Sequence, residues 1–341
     1  MTEAVKVLFI RKISDSLREH LIARLSDLPN LNLIFPEEAT EERVLEHAPD
    51  AHVILGWRPT RELLARAQKL KLFINPGTGV QHLLPLFREL DPARGIVLVN
   101  GHGHSYFVAQ HAVALLLALM NKIIPHHQKM VAGEWRQWSD ALAASTPLRD
   151  RQVGLLGYGA INRWVHRFLS GFDVEFHILR RSWKGKPKPE PTPAKTYSPN
   201  QLHKFLRVVD TLIVAVPQTE ETTGMLGQEE LEFLGSEGVL VNVARGAVID
   251  QEALYKALEA KVIAGAAIDV WYEYQPEPDE QGRRYPADYP FHELDNVVLS
   301  PHRAGSPFSD LKRWDEIIEN LRRFAHGRTD FLNVVDLVRG Y

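Results

Sequence analysis

The chain has 341 residues with 40 Lys and Arg against 43 Asp and Glu, a net charge of −3 that argues against general affinity for nucleic acid or anionic membrane. It has no cysteine, which removes disulfides, thiolate metal sites and a cysteine nucleophile together. At 45% hydrophobic and 24% charged residues it is larger than one core usually holds, so two lobes are expected.

The opening MTEAVKVLFIRK has too short an apolar run for a secretory signal, and the longest apolar stretch, 112–120, is about half a bilayer span. A cytoplasmic protein without a membrane partner is the expectation. Residues 5–10 read as a buried strand and 15–27 as an amphipathic helix capped near Ser14. Strands over 52–55, 72–75 and 96–99, with a helix over 61–67, continue the alternation. Short apolar strands separated by helices point to a parallel sheet covered on both faces. The pattern then predicts one long apolar helix over 108–124, ended by Pro125, and a polar stretch over 126–147 carrying Trp135 and Trp138.

A second strand–helix series begins at Gln152, with strands over 153–156, 174–178, 211–216, 238–243, 264–270 and 297–299. Six strands with intervening helices are what a dinucleotide-binding sheet requires. Residues 183–199, rich in Pro and Lys, read as a solvated loop, and 310–326 as a helix.

Gly157-Tyr158-Gly159-Ala160-Ile161-Asn162 follows the strand ending at Leu156 and opens a helix. The first glycine permits the tight turn, and the second lets backbone approach a pyrophosphate lying on the positive helix end. Asn162 replaces the third glycine and is predicted to push the helix slightly off the strand. About 20 residues further on, an NAD site presents a carboxylate to the ribose 2′-OH. Here 177–184 contains no acid, and Arg180 stands in its place, supported by Arg181, Ser182 and Lys184. Guanidinium groups bind a 2′-phosphate that a carboxylate would repel. NADP(H) is therefore favoured, with NAD(H) possible. The alternative is a solvated basic loop running on into Lys186 and Lys188.

Three further segments stand at strand ends of the second series, where an open α/β sheet places its ligand crevice: VNVARG with Arg245, IDVW with Asp269, and SPHRAG with His302. Arginine binds the carboxylate of a 2-oxo acid and polarises its carbonyl. Histidine supplies the proton as hydride arrives and reclaims it in reverse.

The sequence resembles the D-2-hydroxyacid dehydrogenase family from the first strand to the C-terminal helix. The resemblance is carried by VPQTEETTG, VNVARGAVID and the following EAL within 210–254, and by PHRAG. It implies that Arg245 and His302 are the catalytic pair and that the turn Gly77-Thr78-Gly79 meets the substrate carboxylate. It also implies that Val216, Pro217 and Val243 join the cofactor contacts, with Asp269 holding the nicotinamide carboxamide. A homodimer is implied too, with the arm around Trp135 packing on the partner.

One departure stands out. The family's glutamate that pairs with the histidine falls, by count, on Tyr274, with Glu273 one place early and Gln275 and Glu277 beyond. Glu273 is carried as the catalytic candidate, the loop geometry deciding among the four. Without a carboxylate partner, the pKa of His302 is expected to sit lower. Gln110 and Asn121 replace an acid and an arginine common in the family and are read as neutral changes.

The expected fold is α/β with two lobes, each a parallel α/β sheet. Residues 1–100 and 304–341 form the substrate domain, and a larger Rossmann dinucleotide-binding domain, 101–303, is inserted in it. The expected activity is reduction of a small 2-oxo acid, in the glyoxylate or hydroxypyruvate class. Formate-type dehydrogenases, which pair their histidine with a glutamine, are a variant reading through Gln275. The rival from another class is a cofactor-sensing, non-catalytic binding protein of corepressor type, distinguished by cofactor binding without turnover. His102, His104, His126 and His127 lack the clustered carboxylates or thiolates of a metal site, so no metal is expected. Trp57 and Arg58 follow a small-lobe strand, and one of them is expected to touch substrate.

Overall fold

The computed structural model describes residues 4–38, 40–135, 144–184, 191–307 and 309–341; Trp138, Lys186 and Lys188 lie outside the described residues. The chain divides into two compact units, Met1–His104 with Pro307–Tyr341, and Ser105–Ser306.

The first unit runs β1 (Val5–Phe9), α1 (Asp15–Arg24), β2 (Leu31–Ile34), α2 (Glu41–His47), β3 (Val53–Leu55), α3 (Arg61–Arg66), β4 (Leu72–Asn75), α4 (Leu84–Arg88) and β5 (Val97–Asn100). Its strands form a parallel sheet in the order β2-β1-β3-β4-β5. Apolar runs such as VIL and LFIN are buried on both faces, as a parallel sheet demands. Alternate residues serve opposite sides. Leu8, Ile54 and Phe73 face α2 and α3, whereas Phe9, Leu55 and Ile74 face α1 and the C-terminal helix. Ser14, Thr40 and Thr60 cap α1, α2 and α3, each side-chain oxygen accepting from a first-turn N–H.

The second unit begins with α5 (Ser105–Met120) and α6 (Ile123–Val131) and continues through β6 (Gln152–Leu156), α7 (Ala160–Leu169), β7 (Glu175–Leu179) and β8 (Ala194–Tyr197). Then follow α8 (Leu202–Leu206), β9 (Thr211–Val214), α9 (Gln228–Leu234), β10 (Val239–Asn242), α10 (Gln251–Glu259), β11 (Gly265–Ile268) and β12 (Val297–Leu299). Helix α11 (Asp315–Ala325) returns to the first unit, where Ile317, Ile318 and Leu321 pack on β1, β3 and β4. The second sheet is parallel throughout, ordered β12-β11-β10-β9-β6-β7-β8. Its order reverses between β6 and β9, directly behind the glycine turn. Helix α5 covers one face through Val108, Ala112 and Leu116, and α8 to α10 cover the other through Phe205, Leu231 and Leu258.

Two sequence expectations are corrected. The long helix over 108–124 is two helices, because Lys122 takes a left-handed backbone at φ 51° and the chain bends by 64°. Pro125 therefore lies in the first turn of α6, where a missing N–H costs nothing, and terminates no helix. The loop over 183–199 contains a seventh strand, β8, which pairs with β7 at the sheet edge. Its sequence AKTY carries a largely exposed, polar pattern, which periodicity reads as loop. Among the described residues no single helix is long and apolar enough to cross a membrane.

Candidate active site

The turn between β6 and α7 requires glycine for its shape. Gly157 adopts φ +83°, and a Cβ there would stand 2.6 Å from the Ala215 carbonyl oxygen, so both conformation and space require glycine. The space beside Gly159 is open to 4 Å. Gly159 caps α7 without a side-chain hydrogen bond, leaving first-turn N–H groups to a ligand. These features fit a dinucleotide pyrophosphate. Tyr158 is turned inward, its hydroxyl 2.7 Å from His166 Nδ1, so Ala160 and Ile161 offer the more accessible flank. Asn162, expected to wedge the helix away, is fully buried and acts as a bridge. Its Nδ2 donates to the carbonyls of Gly157 at 2.7 Å and of Leu156 and Ile213 at 3.3 Å.

Past β7, Arg180 is the first residue beyond the strand and lies over the Trp183 ring at 5.3 Å. Arg181 is half-exposed, 3.8 Å from Glu221, and Ser182 Oγ accepts from Lys184 N. No acid stands at this strand end. Val216 and Pro217 follow β9, and Val243 follows β10 with its N–H on the Val214 carbonyl.

Asn242, the last residue of β10, shapes the arginine turn: its Nδ2 donates to the Arg245 carbonyl at 3.1 Å and its Oδ1 accepts from Ala244 N. A Cβ on Gly246 would overlap the Trp271 backbone, so only glycine lets this turn lie against the chain leaving β11. Arg245 is partly buried, Nη1 donates to the Ala244 carbonyl at 2.6 Å, and no acid pairs with it among the described residues. Burial holds its pKa below the ordinary arginine value.

Asp269, expected at the nicotinamide carboxamide, is 1% exposed and commits its oxygens to its own chain. Oδ1 accepts from Ser300 Oγ and from Arg303 N at 2.7 Å, and Oδ2 from Ala304 N at 3.0 Å. Ser300 Oγ also meets His111 Nε2 at 2.9 Å. This grip on both sides holds His302 at φ 55°, an uncommon backbone for a non-glycine residue and one that collects at functional sites. His302 Nδ1 lies 2.8 Å from the Tyr274 hydroxyl. Glu273 is corrected here: it accepts from Gln275 N at 2.6 Å, and Tyr274 takes the place at the imidazole. The cause is a tight turn in which Tyr274 Oη also accepts from Trp271 N, folding the phenol back toward His302. Desolvation by surrounding protein pushes the His302 pKa below its ordinary value; Asp269 opposes this and Arg245 adds to it.

In the first unit, the turn Gly77-Thr78-Gly79 is pinned through its carbonyls. Asn75 Nδ2 donates to Gly77 O at 2.6 Å and Gly79 O at 3.0 Å, and Asn100 Nδ2 donates to Thr78 O at 2.6 Å. Thr78 Oγ1 donates to Gly101 O at 3.0 Å. With the carbonyls so occupied, the turn's N–H groups form no described hydrogen bond. Trp57 Nε1 lies 3.2 Å from where a Cβ on Gly77 would stand, and the Arg11 guanidinium lies 5.5 Å over the indole. Arg11 follows β1 and Trp57 follows β3, the pair at which this sheet's order reverses.

Sequence reasoning missed the asparagines. LFIN at β4, VLVN at β5 and VLVN at β10 each end an apolar strand on a buried Asn whose amide holds a turn, Asn75 and Asn100 that of 77–79 and Asn242 that of Arg245. That repeated ending was visible in the sequence.

Residues 113–304 match the family described as D-isomer specific 2-hydroxyacid dehydrogenase, NAD binding domain. The chain is 31% identical over 301 residues to a glyoxylate reductase of Pyrococcus furiosus, covering 85% of this chain and 84% of the relative. The chain belongs to the D-isomer specific 2-hydroxyacid dehydrogenase family. It is thus an NAD(P)-dependent oxidoreductase built on a two-sheet α/β fold. Among other 2-hydroxyacid dehydrogenases, it is 31% identical over 312 residues to glyoxylate/hydroxypyruvate reductase HPR3 of Arabidopsis thaliana, covering 90% and 88% of the two chains. It also resembles the crystal structure of an NADPH-dependent glyoxylate/hydroxypyruvate reductase of Sinorhizobium meliloti bound to citrate. That likeness has a TM-score of 0.75 and 29% identity, covering 98% of each chain.

Proposed function

We propose that this dehydrogenase reduces a small 2-oxo acid of the glyoxylate or hydroxypyruvate class with NADPH. The observation that carries the reading is the partly buried Arg245, without an acidic partner among the described residues and electrostatically coupled to His302. A guanidinium kept in that state is completed by an anionic ligand, and a carboxylate meets it bidentately. When bound, the nicotinamide supplies or accepts the hydride. Arg245 orients the acid and polarises its carbonyl, and His302 exchanges the proton with the carbonyl oxygen. The substrate class is supported by the glyoxylate reductases among the relatives.

The second unit is assigned to the cofactor, through Gly157, Gly159 and the start of α7. Arg180, Arg181 and Ser182 receive the 2′-phosphate, a preference supported by the NADPH-dependent structural relative. The first unit is assigned to substrate, through the N–H groups of Gly77 to Gly79 with Trp57 alongside. Asp269 acts by holding the His302 loop. A homodimer completes the proposal, because α6 buries none of its nine residues and presents Ile123, Met130 and Val131 to solvent, with Trp135 beyond it 67% exposed.

The test follows NADPH and NADH oxidation by absorbance with glyoxylate, hydroxypyruvate and bulkier 2-oxo acids. Wild type and the double variant Arg180→Asp/Arg181→Ala are compared. Turnover with NADPH is expected, shifting toward NADH in the double variant. Cofactor binding without turnover on any 2-oxo acid refutes the proposal in favour of a sensing protein.

A further inference from the structure

The histidine's partner in this chain is a phenol, and that changes how a proton reaches the substrate. Tyr274 Oη accepts from the Trp271 N–H at 3.4 Å and lies 2.8 Å from His302 Nδ1. A backbone N–H only donates, so it occupies acceptor capacity of the phenol oxygen and leaves the O–H to point at the ring. The charged groups around the ring are Asp269 from the end of β11, Arg245 from the turn after β10, and Arg303 next in the loop; His111 reaches the same Asp269–Ser300 pair from α5. Asp269 is spent on Ser300, Arg303 N and Ala304 N, and among the described residues no carboxylate touches the imidazole.

We infer that Tyr274 is the positioning residue of a two-proton relay, its hydroxyl donating to His302 Nδ1 so that a neutral imidazole carries its proton on Nε2 and passes it to the substrate. This inference rests on the hydride-transfer reading above. As hydride adds to the carbonyl carbon, the π electron pair moves to oxygen, which takes the Nε2 proton. Nδ1 takes the phenol proton in the same motion, and the imidazole ends neutral with its proton on the other nitrogen. The starting state returns when Nδ1–H gives its proton back to the tyrosinate and Nε2 takes one from water, which reaches the site because Tyr274 is 54% exposed. Arg245 favours that anion: its charge lowers the Tyr274 pKa against the larger rise caused by burial. A carboxylate in the same place would instead hold Nδ1–H and stabilise an imidazolium, tying reduction to the protonated ring. The low pKa direction of His302 is unfavourable for that second route and harmless to the relay.

Two measurements separate the outcomes. The first is the 15N spectrum of histidine-labelled protein without cofactor or substrate, at neutral pH. The wild type is expected to show His302 with an unprotonated Nδ1 and a protonated Nε2, and Tyr274→Phe to lose that fixed tautomer. A proton on Nδ1 in the wild type overturns the inference whatever the turnover. The second is the pH profile of kcat for 2-oxo acid reduction, with a proton inventory in mixed light and heavy water. In the wild type the alkaline limb should lie at or above the ordinary phenol value of about 10, because burial raises the Tyr274 pKa, and two protons should be in flight. Tyr274→Phe should bring the limb below the ordinary histidine value of about 6.5 and leave one proton, with kcat at pH 9 reduced ~100-fold but little changed at pH 5. Tyr274→Glu should place the limb between these two. A Tyr274→Phe profile superimposed on the wild type overturns the relay. Absence of turnover alongside the expected tautomer overturns the hydride-transfer reading and the relay, while the phenol's hold on the ring stands.

Discussion

His166 is a buried imidazole with both nitrogens occupied, Nδ1 by the Tyr158 hydroxyl and Nε2 by Thr192 Oγ1 at 2.8 Å. Burial pushes its pKa down to about 4. In the unfolded chain the same ring titrates near ~6.5. Above that value both states are neutral and the contribution to stability is complete. As pH falls through the window toward 4, the unfolded state binds a proton that the folded state refuses, so stability declines; below about 4 the loss levels off. The shift corresponds to a loss on the order of 3 kcal/mol. Thermal unfolding followed between pH 7 and 4 should show this slope, and His166→Phe should make it shallower. An unchanged slope removes His166 from the account. Because Tyr158 sits inside the glycine turn, this buried pair also ties that turn to the interior of α7.

The β6–turn–α7 unit depends on one backbone conformation. Gly157→Ala combines a side chain at φ +83° with a contact to the Ala215 carbonyl that no rotamer relieves. A left-handed backbone alone costs an alanine ~1–2 kcal/mol, which as lost cofactor affinity is about tenfold or more. Titration of protein fluorescence with NADPH should show that loss, and wild-type affinity in the variant would mean the turn does not carry the pyrophosphate. The same segment shows what could be read early. The two glycines at 157 and 159 and the missing acid at 180 are one-dimensional signals and were legible. That Asn162 bridges three carbonyls was not, because one of them, Ile213, lies 51 residues away on β9. The boundary between α5 and α6 was harder to read: the polar pair Asn121-Lys122 interrupts the apolar run where the chain bends, but two polar residues do not by themselves specify the left-handed backbone at Lys122.

Helix α6 has no buried residue within the chain, yet nine-residue helices are marginal in water without packing. Ile123, Met130 and Val131 are 54%, 55% and 74% exposed, and Trp135 follows them. The second copy proposed above would account for both facts. Light scattering on the eluting protein should give twice the 38.7 kDa chain mass, and Met130→Glu/Val131→Glu should shift it toward the monomer. A wild-type monomer at micromolar concentration rejects the dimer.

Where information is local along the chain, the sequence was sufficient. Strand periodicity, the helix cap at Ser14, the glycine turn and the basic end of β7 are set by steric and hydrogen-bonding preferences within a few residues. They specify two parallel α/β sheets and a nucleotide turn. The motifs around Arg245 and His302 were recognisable for the same reason. Which side chain meets His302 was a different kind of question, because a one-residue offset across a turn exchanges Glu273 for Tyr274. The contact spans 28 residues and rests on the Trp271 N–H and the Asp269 grip. Strand β8 likewise exists through its pairing with β7, since its own polar pattern asks for water. Packing and long-range hydrogen bonds assign such partners, and they replaced an expected carboxylate–imidazole pair with a phenol–imidazole one.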